Sequence, residues 1–163
     1  MKNRLATPAL IACVLFLGFL TGVGIFQHMF WIPEMFESAH ALTRAMSGNA
    51  GEPQKFWIPL HGLTFLTMIA SLIFNRNIKS RKRLILTAFC GYIYISLISI
   101  YFARQLFAFK NIKDISEFSQ KTNQWLVLSW HRPIFMAVIE LLLLIAISKS
   151  ISFYKQSPSV LNQ

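Results

Sequence analysis

Four apolar runs dominate the chain, at residues 5–32, 56–74, 84–103 and 125–147, with polar stretches between them. Each is long enough to cross a bilayer, which takes about 20 residues as a helix. Inside the runs polar positions recur at helical spacing, not at the two-residue period of a strand. The pattern predicts an all-α integral membrane protein. It would be a four-helix antiparallel bundle over residues 1–150, with both termini cytoplasmic and a mobile cytoplasmic tail at 151–163. The basic start MKNR resembles a signal peptide. The apolar run behind it, however, exceeds the roughly 7–15 residues of a signal core, and no small-x-small cleavage site follows. "LIAC" at residues 10–13 looks like a lipoprotein cleavage box, but almost no apolar segment precedes it. The first run is therefore read as a retained span.

Phase at about 100° per residue tests which polar groups can meet. In the first span Thr21, Gly24 and His28 share a face, and Gly18 and Gly22 form a GxxxG step suited to close packing. In the second, His61, Thr64, Met68 and Asn75 align. The third aligns Cys90, Tyr94, Tyr101 and, less closely, Arg104. The fourth aligns Trp125, Ser129, Arg132, Met136 and Glu140. His131 falls on the opposite side from Glu140, so periodicity selects Arg132 from "WHRP". Pro133 leaves the Ser129 carbonyl without its helical donor, which predicts a kink or hydration there.

The tetrapeptide FWIP occurs at residues 30–33 and again at 56–59. One copy leaves the membrane and the other enters it, so the chain runs in opposite directions and duplication is excluded. Pro33 is expected to end the first helix and Pro59 to sit in the first turn of the second. Trp31, Trp57, Trp125 and Trp130 all fall near one end, as an interfacial aromatic belt would. His28 and His61 lie about 4–6 Å below that layer. Ionisable groups at such depth are costly unless they face a cavity or one another.

Charge changes the picture only through its placement. The chain is 55% hydrophobic, with 16 Lys and Arg against 6 Asp and Glu. Lys2 and Arg4 precede the first span. Arg76, Lys79, Arg81, Lys82 and Arg83 fill the loop between the second and third, and Lys149 and Lys155 follow the fourth. None of these segments holds an acid. The positive-inside rule places them in the cytoplasm, in a plasma or inner membrane, with lipid rather than nucleic acid as the partner. The first outer loop is mildly acidic through Glu34, Glu37 and Glu52. The second opposes the rule with Lys110, Lys113 and Lys121. Cys13 and Cys90 read as small apolar packing residues, not a disulfide.

With the polar faces inward, the bundle would hold an outward-facing polar pocket. His28 and His61 are its candidate proton acceptors. Tyr101, Arg104, Ser129 and Arg132 are its candidate ligand-binding groups, with Glu140 deeper. The bland alternative is that these groups bond lipid headgroups and loop backbone. Glu140 reads equally as a proton acceptor or as a protonated carboxyl bonded to a neighbouring helix. No Cys-x-x-Cys, nucleotide-binding loop or HExxH metal motif is present, and the sequence names no cofactor.

The last span reads W-x3-S-x2-R from Trp125 through Ser129 to Arg132, followed by a Leu-rich run. Together with four short spans, the chain length and "TGVGIFQHMFWIPEMF", this resembles the anthrone-oxygenase-like family of small four-helix membrane proteins. That family often carries His or Asn where Ser129 stands, His131 is displaced from that position by two, and "YFARQLFAF" departs from its Asn-containing third helix. The resemblance implies a membrane protein whose best-known relatives oxidise polycyclic anthrones with dioxygen, most relatives having no assigned activity. Three readings stay open. One is non-catalytic or accessory binding of a hydrophobic anionic, phenolic or quinone-like molecule. The second is an anthrone-oxygenase-like membrane oxidoreductase. The third is a haem-binding electron-transfer protein with His28 and His61 as axial ligands. An oligomer is compatible with each.

Overall fold

Long runs of Leu, Ile, Phe and Ala with few charges satisfy their backbone groups internally as helix, the one local structure an isolated apolar segment can carry through lipid. The structure, a computed structural model, describes residues 4–47 and 53–155, with side chains over 4–47 and 55–149. Lys2, Glu52, the Lys155 side chain and the tail beyond residue 155 lie outside the described residues. Ala6–Phe26 (α1) passes through a wide π-helical turn, Gln27–Trp31, into Ile32–Met35 (α2), and a short helix, Ala39–Ser47 (α3), follows. Pro53–Phe74 (α4) crosses back and Lys79–Phe109 (α5) returns. Ile115–Ser129 (α6) and His131–Lys155 (α7), separated only at Trp130, make the last crossing.

The four long crossings close a ring in which α1 packs on α4 and α7, and α5 packs on α7 and α4. Their senses alternate. Asn75, just past α4, bonds the carbonyl of Ala6 at the start of α1, and Arg81 early in α5 bonds that of Ala146 late in α7. The core between them is built from Leu10, Leu17, Leu20, Met68, Ile85 and Leu143. The outer surface is equally apolar, with Leu15, Leu66, Leu97 and Leu141 between 57% and 68% exposed. All four crossings are long and apolar enough to span a membrane. Lipid solvates such a surface and water does not. The chain is a multi-pass helical membrane protein.

Two glycines set close approaches. A β-carbon on Gly91 of α5 would lie 3.3 Å from both Ile139 and Phe135 of α7. One on Gly18 would lie 2.7 Å from Glu140 Oε1, whereas Gly22 faces open space. The GxxxG step thus seats a carboxyl group on one glycine and packs no helix on the other.

A second core caps one end. Ile32, Met35, Leu42, Phe102, Phe109, Phe118 and Trp125 gather from α2, α3, α5 and α6. α3 and α6 start at side-chain caps, Ser38 Oγ accepting from the Ala41 N–H at 3.0 Å and Asp114 Oδ1 from that of Glu117 at 2.9 Å.

Several expected details change. The third span is 79–109 rather than 84–103, because its charged first turn and its last turns stay helical on packing. Pro33 does not end the first helix. The π turn ahead of it disrupts the regular ladder, so a proline can follow without breaking one. α4 begins before Trp57, which leaves Pro59 inside the helix. Residues 151–155 continue α7. Trp125 is not a belt residue but is buried in the cap core at 4% exposure. In α5 the expected face is turned outward: Cys90, Tyr94, Tyr101 and Arg104 are exposed, and Ile85, Ala88, Tyr92 and Ile95 face in. Close packing at Gly91 sets that rotation, and the exposed tyrosines keep their hydroxyls off the core.

Candidate functional site

Between the intramembrane core and the cap lies a cavity of about 550 Å³. Most of its wall is apolar, from Ile32, Met35, Trp57, Phe107 and Met136 among others. Its charged lining consists of Arg104 and Arg132, and no carboxylate faces them among the described residues. The lining residues from α1, α2, α6 and α7 are buried or half-buried. Those that are exposed, Ile58 on α4 and Ile100, Ala103, Arg104 and Phe107 on α5, mark the mouth. The cavity therefore opens sideways between α4 and α5, the least tightly packed pair of the ring. The cap core packs at the end of the bundle beside it.

Arg132 is the centre of the site. Its guanidinium carbon lies 4.9 Å from the Phe102 ring centroid and 5.2 Å from that of Trp125. Aromatic faces attract a cation and partly replace its lost hydration. Nε donates at 3.4 Å to the Ser129 carbonyl, the group that Pro133 leaves without a backbone donor. The helix break at Trp130 and this bond together answer the kink expected at Pro133. Nη2 donates at 3.5 Å to His28 Nε2. Nη1 has no hydrogen-bond partner among the described residues, and Arg132 lines the cavity.

His28 sits on the π turn and is 5% exposed. Its Nδ1–H donates to the Gly24 carbonyl at 2.7 Å. A carbonyl can only accept, so the ring proton is on Nδ1 and Nε2 is an acceptor when the ring is neutral. Nε2 lies 2.9 Å from Ser129 Oγ, whose single proton serves either Nε2 or the Leu126 carbonyl at 3.0 Å, and the ring stacks over Trp125 with planes 7° apart. Both nitrogens of His28 are engaged. As a proton acceptor, or as a haem or metal ligand, it would first have to give up one of these bonds.

His61 differs. The Tyr92 hydroxyl donates at 3.2 Å to the His61 carbonyl, and His61 Nδ1 lies 2.7 Å from the same oxygen. His61 Nε2 has no hydrogen-bond partner among the described residues, and the residue lines the cavity.

The structure thus brings His28, His61, Arg104 and Arg132 to one cavity. Ser129 is fully buried behind it, holding His28 and Arg132 from outside the lining. Tyr101 is 58% exposed, accepts from Gln105 Nε2 at 2.7 Å and borders a separate hollow between α5 and α6. Glu140 lies against Gly18, away from the cavity wall. His131 packs on Phe102 and does not line the cavity. Sequence reasoning missed Tyr92, whose position one turn from Ser96 on the inward face was its only signal. It also missed Ser96, Ser99 and Gln27 in the lining. The chain matches no protein-family model, no curated protein and no solved structure.

Proposed function

We propose that this protein binds an amphiphile with an anionic, phenolic or quinone-like head, drawn from the bilayer, in a non-catalytic or accessory role. One observation supports it above the others. Arg132 points a guanidinium with unused donors into an apolar cavity whose mouth faces sideways, and no described carboxylate neutralises it. A head rich in oxygen acceptors would complete those donors, and a tail would leave between α4 and α5. Native mass spectrometry of protein extracted in lipid discs should find such an amphiphile bound in stoichiometric amount. Ala103→Trp would fill the exposed mouth without touching the core. It should weaken binding of long-chain ligands at least about tenfold at an unchanged melting temperature. Absence of bound amphiphile, with equal affinity in the two proteins for added long-chain phenols and acids, would refute the proposal.

A catalytic reading rests on His61, whose Nε2 is open to the same cavity. It could take a proton from a phenolic substrate while Arg132 holds the oxygen, consistent with the resemblance to anthrone-oxygenase-like proteins.

We propose the orientation with both termini cytoplasmic. Arg76, Lys79, Lys82 and Arg83 support it, being exposed at one end of the bundle. Cysteines placed at the exposed positions Ser80 and Ser119 should react in opposite order with a membrane-impermeant maleimide applied outside, Ser119 first. Ser80 reacting first reverses the topology.

A further inference from the structure

Two of the cavity-lining groups with unfilled hydrogen-bonding capacity, Arg132 and His61, are opposite in kind. Arg132 offers only donors. The character of His61 is decided one step back, by Tyr92. That side chain is 1% exposed, and its hydroxyl donates to the His61 carbonyl at 3.2 Å. A hydroxyl has one proton. Both contacts are hydrogen bonds only when that proton is on the carbonyl, and the 2.7 Å contact is then made by an Nδ1–H donating to the Tyr92 oxygen. The neutral ring then carries no proton on Nε2, and the nitrogen that faces the cavity is an acceptor.

We infer that Tyr92 is a positioning residue that holds His61 as an acceptor, so that the site selects a ligand head carrying a free O–H beside an oxygen acceptor: a catechol, or a phenol or quinol with an adjacent oxygen substituent, rather than its ether or the oxidised quinone. This rests on the binding function proposed above and names the ligand class within it. The donor of the head would meet His61 Nε2, and its neighbouring oxygen would meet Arg132. A head with acceptors alone leaves Nε2 unfilled in a site that excludes most water, and such a mismatch is discriminated more strongly than a difference in size.

The test compares two probes of one shape, 4-nonylcatechol and its dimethyl ether, binding to purified protein in lipid discs. The wild type should bind the catechol at least about tenfold more tightly. His61→Ala should erase the preference while leaving the ether's affinity within about threefold. Nitrogen-15 spectra of the wild type should show His61 protonated at Nδ1, and Tyr92→Phe should shift the ring toward the Nε2–H tautomer with partial loss of the preference. A purely structural role for Tyr92 would leave that tautomer unmoved. Equal affinity of the wild type for catechol and ether, or an Nε2–H tautomer in the wild type, overturns the inference. The underlying binding function fails separately, if Arg132→Leu leaves both probes bound as before.

Discussion

Arg132→Leu should reduce binding of anionic or phenolic amphiphiles about 100-fold or more while leaving the bundle folded. Hydrogen bonds to a charged group contribute about 1.5–3 kcal/mol each, and the free Nη1 group can make two of them. The fold depends on this side chain much less. Its protein hydrogen bonds are long, at 3.4 and 3.5 Å, and His28 Nε2 keeps its 2.9 Å contact with Ser129 when Arg132 is gone. A cation held in an apolar bundle is costly in the free protein, so leucine beside Phe102 and Trp125 should be tolerated. Arg132→Lys should be intermediate, since an ammonium keeps the charge but loses the planar set of donors that a guanidinium offers beside the two rings. Isothermal titration beside a thermal melt separates the effects. Unchanged affinity in Arg132→Leu would remove the cavity from any binding role.

The four crossings were legible because membrane insertion depends on length and apolarity, both written along the chain. Arg132 was legible for a related reason: the fourth span has few polar residues, and phase alone separated it from His131. The third span misled because its polar atoms sit mostly on tyrosines, which accept an exposed position in a helix near the interface. The inward face of that helix was set instead by Gly91 meeting Ile139 and Phe135, a contact that depends on a partner helix. The direction of the mouth was illegible for the same kind of reason. It follows from α2 and α3 packing on the ends of α5 and α6, and α3 and most of α6 lie in polar segments between the apolar runs. The π turn had no local signal, yet it places His28 beside Ser129.

Arg81 shows how a charge count can hide a structural role. By composition it is one of five basic residues in a loop. In the structure it is 3% exposed and joins all four long crossings. Nε donates to the Ala146 carbonyl at 3.2 Å, Nη1 to Asn75 Oδ1 at 2.9 Å, and Nη1 and Nη2 to Thr7 Oγ1 at 3.3 Å. Asn75 extends the network through Nδ2 to the carbonyls of Ala6 and Ser71, each at 2.9 Å. Arg81→Leu should therefore destabilise the protein by about 2–4 kcal/mol, because Asn75 Oδ1 becomes a buried acceptor without a donor and the tie from α5 to α1 is lost. For a chain of this size that corresponds to a fall in melting temperature on the order of 10 °C. Arg83→Leu, exposed two residues away, removes the same charge and should change it by less than about 2 °C. Asn75→Leu should match Arg81→Leu, and the double variant should cost much less than the sum, since both remove one shared network. Equal melting of the Arg81 and Arg83 variants would show that the buried network contributes nothing. It would return Arg81 to the role its position in the sequence suggests, a charge that only orients the chain in the membrane.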